Sequence, residues 1–109
     1  MKSAMMFPTV VAGASVLYAQ NPLSTELKQQ YTGSEANIIK SAERMSEADY
    51  SFKPAEGNTR TFGQIIGHIA DVQLALCPAA KGEQKRGDAK QTKTSKADLV
   101  TALKESSEY

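Results

Sequence analysis

The apolar residues of this chain recur at spacings of three and four, and nowhere after residue 20 do they alternate at two. That pattern restricts the fold to packed helices, because a strand presents its apolar face at every second residue. Three stripes carry it. The first comprises Leu23, Leu27, Tyr31, Ser34, Ile38, Ala42 and Met45. It predicts a helix opened by Asn21-Pro22, a capping residue followed by a proline suited to the first helical position, and running to about Met45. Gly33 costs this helix roughly 1 kcal/mol relative to alanine and suggests a close approach by a neighbouring helix. The second stripe is Phe62, Ile65, Ile66, Ile69, Val72 and Leu76. Thr61 and Gln64 stand before it at the spacing of a capping box, and Pro78 is expected to end it. The third is Leu99, Val100 and Leu103, with Ser95 as cap and Asp98 three residues on. No glycine, asparagine or proline stop follows it, so this helix reads as cut off in mid-course at Tyr109.

Two connections differ in character. Pro54, Gly57 and Asn58 make residues 46–60 a loop, with Tyr50 and Phe52 as its anchors onto the core. Residues 78–94, "PAAKGEQKRGDAKQTKT", are polar, hold two glycines and five basic residues, and read as a long surface crossover. Its length exceeds the roughly 2–8 residues usual between helices.

The first twenty residues, "MKSAMMFPTVVAGASVLYAQ", follow a different pattern. Lys2 precedes an uncharged, largely apolar run from Ser3 to Ala19. A cationic start, apolar middle and small-residue end describe a secretory signal, cleaved after Ala19 or, alternatively, after Ala14. An uncleaved anchor helix is the competing reading. The expected organisation is therefore a signal over 1–19, a helical domain over 20–109, export to the periplasm or beyond, and no stable membrane span after cleavage. Loss of Lys2 leaves 12 cations against 12 anions. A neutral chain without a basic stripe gives no reason to expect nucleic acid. The single cysteine, Cys77, excludes an intramolecular disulfide and reads as a buried small apolar residue or, alternatively, as a thiol that pairs with something outside this chain.

The only histidine, His68, stands in "GQIIGHIADVQ". On a helical wheel it lies about 90° from the centre of the second stripe, at the border of the apolar face. By itself that position describes a packed or hydrogen-bonded side chain, since a transition-metal site normally takes three or more protein ligands. Asp71, at i+3, is rotated further towards solvent and reads as a solvated carboxylate. Cys77 is about 13 Å further along the helix axis, which excludes a Cys–His pair. No glycine-rich phosphate loop, HExxH or CxxC motif is present.

The phrase "AERMSEADYSFKPAEGNTRTFGQIIGHIAD", then Cys77, then "KTSKADLVTALKESSEY", resembles the DinB-like family of the DinB/YfiT-type metalloprotein superfamily. The resemblance runs from about Asn21 to Tyr109 and is most specific from Tyr50 to Asp71. It implies an all-α, up-down four-helix bundle with a long crossover between helices two and three. It also implies a divalent metal, zinc or nickel, held by three histidines, with His68 at the position of the first. The other two form an H-x-x-x-H pair on the family's last helix, and nothing here matches them. The expectation is thus a bundle lacking its last helix, an incomplete metal site and no tightly bound metal in this chain. Where family members are enzymes they are thiol-dependent transferases, in which the metal binds a thiol as thiolate. The alternative is an exported, non-catalytic helical domain. Uncovered core in a three-helix arrangement favours a homodimer.

Overall fold

A computed structural model describes residues 21–109, and the export signal read over 1–19 lies outside the described residues. Those residues form helices α1 (Pro22–Arg44), α2 (Phe62–Ala80), α3 (Ala89–Thr92) and α4 (Lys96–Ser107), with a 3-10 turn at Ala48–Ser51 after α1. No strand occurs among them. The helix starts follow the capping chemistry of the sequence. The Asn21 side chain accepts the Leu23 N–H at 3.1 Å. Thr61 and Gln64 complete the capping box in both directions, at 3.1 and 2.9 Å. Ser95 accepts the Asp98 N–H at 3.2 Å.

The core is assembled mainly from the ends of α1 and α2 and the middle of α4. Ala42, Tyr50, Ile66, Leu99 and Leu103 are buried together, flanked by Ile38, Ile39, Met45, Phe62, Ile69 and Val100. Tyr50 donates its hydroxyl to the Ala42 carbonyl at 2.7 Å and meets Phe62 edge-on, with ring centroids 5.1 Å apart. Phe52, expected to anchor the same loop, is instead 59% exposed. At the other end of the core, Lys96 donates its ammonium to the carbonyls of Glu43 and Met45 at 2.7 Å each. A cation there complements the negative end of α1. In return the Glu47 carboxylate accepts the Lys96 N–H at 3.1 and 3.2 Å, satisfying the start of α4.

The structure corrects four expectations. First, α2 does not stop before Pro78 but runs to Ala80. Proline forfeits one hydrogen bond to the preceding turn, and Gly82 supplies the stop. At φ +79° it occupies the left-handed region, with Glu83 N–H bonded to the Pro78 carbonyl and Gly82 N–H to that of Ala79. That is a Schellman cap, which requires a residue free of a Cβ penalty. Second, the crossover is not wholly a surface loop. It folds back as the single-turn α3, burying Ala89 against Ala70 of α2 and Ala102 of α4. Third, no neighbour approaches Gly33; the close approach is at Gly67, where an added Cβ would lie 2.7 Å from the Lys90 Cα. Fourth, the buried seam of α2 is Gly63, Ile66, Gly67 and Ala70, while Ile65, Val72 and Leu76 are exposed. The seam is rotated by about 110° from the apolar stripe. Small residues win that face because α3 and α4 lie close against it.

Burial, and secondarily the Glu47 charge, raise the Tyr50 phenol above its ordinary value. A group whose folded pKa is raised contributes stability that is complete below its unfolded pKa and lost as pH climbs through the folded one. Urea unfolding followed by circular dichroism should therefore show a fall in stability above about pH 10. Tyr50→Phe should cost about 1–2 kcal/mol at pH 7, through the orphaned Ala42 carbonyl, and should reduce the alkaline loss. Part of that loss should persist in the variant, because Tyr31 and Tyr109 are shifted in the same direction.

Candidate functional site around His68

His68 is half-buried near the middle of α2, directly after the glycine against which the connection packs. Gln64, His68 and Asp71 share one side of the helix, and the exposed Ile65 and Val72 lie next to them. His68 keeps its place at the edge of the apolar stripe, but that stripe is not the buried face, and the imidazole stands about 150° from the centre of the Gly63–Ala70 seam.

Asp71 is not the solvated carboxylate of the sequence reading. Its oxygens accept the Ala89 N–H at 2.8 Å and the Lys90 N–H at 3.1 Å. These are the free amides at the start of α3, so the carboxylate clasps the connection to α2. With both oxygens engaged, Asp71 is committed to structure. Cys77 is a free, half-buried thiol rather than a fully buried one. Glu47, which also reaches across elements, is committed to Lys96 as described.

A second polar group lies further along α2, towards its C-terminus. The Gln73 side chain donates to the Tyr31 hydroxyl at 3.4 Å and accepts from the Ser106 hydroxyl at 2.6 Å, linking α1, α2 and α4. Desolvation, then the charges of Glu35 and Cys77, raise the Tyr31 phenol, with the Gln73 hydrogen bond opposing them. One Glu35 oxygen is buried without a hydrogen-bond partner. The sequence reading placed Tyr31 in a stripe and passed over Gln73, Ser106 and Glu35. The available signal was polarity at Gln73, seven residues after Ile66 and so on its face of the helix.

These residues do not fit a resident divalent metal by themselves. Among the described residues no group of three His, Cys, Asp or Glu side chains stands close enough to hold one. His68 is the sole imidazole, and its near carboxylate is spent on Ala89 and Lys90. No helix among the described residues is long and apolar enough to cross a membrane.

A family model described as the DinB superfamily matches residues 30–109. No curated protein and no solved structure matches the chain.

Removal of the Asp71 carboxylate should orphan two amides at once. Asp71→Ala is expected to cost about 2–3 kcal/mol in urea unfolding, with Asp71→Asn recovering part of the loss by retaining one acceptor. A cost below 0.5 kcal/mol would show that the clasp contributes little to the packing of α3.

Proposed function

Because this chain belongs to the DinB superfamily, we propose that it is an exported helical-bundle protein related to thiol-dependent transferases, in which His68 is one ligand of a divalent-metal site. The remaining donors come from protein outside the described residues, lying against the uncovered face of α2. The observation that carries this reading is the setting of His68 on that face. Its neighbours Ile65 and Val72 are 42% and 37% exposed although both are large aliphatics. A packed surface of that composition normally has a partner element, and an imidazole at its edge would then stand at the junction. Export rests on the sequence of residues 1–19, with Lys2 ahead of an uncharged apolar run.

A second reading, a non-catalytic domain that completes its bundle with another copy of itself, draws on the same face. Leu23 and Leu27 on α1 and Leu76 on α2 are each more than half exposed. A patch shared by identical chains meets itself across a two-fold axis.

The purified, dialysed chain should hold well under one zinc or nickel ion per molecule by elemental analysis. Under excess zinc or nickel, the ring resonances of the single histidine should shift in NMR spectra, and His68→Ala should remove the response. An unperturbed ring would overturn the ligand role. A tight stoichiometric metal, lost in His68→Ala, would overturn the placement of the other donors outside these residues. Sedimentation of the same samples reads the second interpretation, which predicts a dimer dissociated by Leu76→Asp.

A further inference from the structure

The loop before α2 and the connection after it enclose a cleft at the N-terminal end of α2. The cleft has a volume of about 540 Å³, within the range of small-ligand pockets. Lys53 and Arg60 enter it from the loop and Lys90 from the connection, with Thr59, Gln64 and Gln91 between them. No acidic side chain lines it. A second cavity of about 460 Å³ adjoins it, sharing Gln64, Lys90 and Gln91 and adding Lys93. Its one acid, Glu47, already accepts the Lys96 N–H with both oxygens. The carboxylate of Asp71 is likewise engaged with the backbone of Ala89 and Lys90. Glu56, on the same loop, lines a separate, smaller cavity with Lys53 and Gly57.

Three cations therefore converge on one concavity of a chain whose overall charge is close to neutral. The lining holds no carboxylate to offset them, so an anion entering it meets only cations and neutral groups. The donor set is also chemically suited to oxygen. Arg60 offers a planar fork, Lys53 and Lys90 offer point charges, and the Gln91 carboxamide offers a neutral donor, while the Thr59 hydroxyl already donates to the Glu56 carbonyl at 3.4 Å. The positive end of α2, at Thr61 and Gly63, opens on the adjoining cavity.

We propose that this cleft binds the oxyanionic group, phosphate or carboxylate, of a small molecule, with Arg60 and Lys90 as the principal contacts and Lys53 closing the loop side. Lys53 is already bent towards its own loop, donating to the Gly57 carbonyl at 3.3 Å. Gln64 is one turn before His68, about 6 Å along the axis, so a ligand anchored here could extend to the imidazole. The inference stands on the cleft and not on a metal at His68.

Titration calorimetry on the full chain in low salt tests it, with inorganic phosphate in one arm and citrate in the other. One binding event per chain is expected in at least one arm, weakening as sodium chloride rises. The tighter arm identifies the oxyanion as phosphoryl or carboxylate. Arg60→Gln and Lys90→Gln should each lower the affinity about tenfold or more while circular dichroism and unfolding temperature stay unchanged. Lys28→Gln removes the same charge from α1 and should leave the affinity unaltered. Absence of binding in both arms would overturn the proposal. So would a loss that is equal in Lys28→Gln and the two cleft variants, since that would mark a general charge effect.

Discussion

The arrangement of this domain on the far side of α2 depends on one carboxylate. Asp71 takes two backbone amides that the start of α3 would otherwise leave without partners. In doing so it draws a connection of mixed charge back across the helix, where Gly67 lets the two backbones meet. The burial of Ala89 against Ala70 and Ala102 follows from that return, as does the delivery of Lys90 to the cleft. A charged acceptor bonded to two N–H groups is stronger than a neutral one, which makes it adequate to hold a segment with a single buried alanine.

Much of the helical frame is legible in the amino-acid sequence. Capping is local chemistry, so Asn21, Thr61 and Ser95 announced their helices within a few residues of where they begin. The glycine cap at Gly82 was equally local, but Pro78 is the louder signal and drew the helix end towards itself. Periodicity located the faces of α1 and α4 near the core correctly, since Ala42, Leu99 and Leu103 are all buried. On α2 it failed for a physical reason. Hydrophobic spacing reports where large side chains stand, whereas close packing of α3 and α4 selects the side with the smallest ones. Gly63, Gly67 and Ala70 contribute almost nothing to an apolar stripe, and they form the seam.

The candidate site divides in the same way. His68 at the edge of a face follows from helix geometry alone. The role of Asp71 does not, because its partners are 18 and 19 residues away and reach it only through the folded-back connection. The cleft has the same character. Lys53, Arg60 and Lys90 come from two separate connections, and no spacing rule links them. A long polar crossover looks like solvated charge until a tertiary contact gives its lysines a direction.

Lys96 bonds Glu47 through its N–H and Glu43 and Met45 through its ammonium, across about fifty residues of chain, and the core that these contacts seal draws Leu99 and Leu103 from α4. Closing so long a loop must precede the reward of packing, so local contacts cannot assemble this core early. A nascent chain that has made only α1 and α2 can seat Tyr50 against Ala42 and Phe62 but lacks Leu99 and Leu103, which complete that core. Its core stays unfilled until α4 is made. Late closure of this kind leaves the apolar faces of α1 and α2 open to solvent, and to any chaperone that binds them, for as long as α4 is missing.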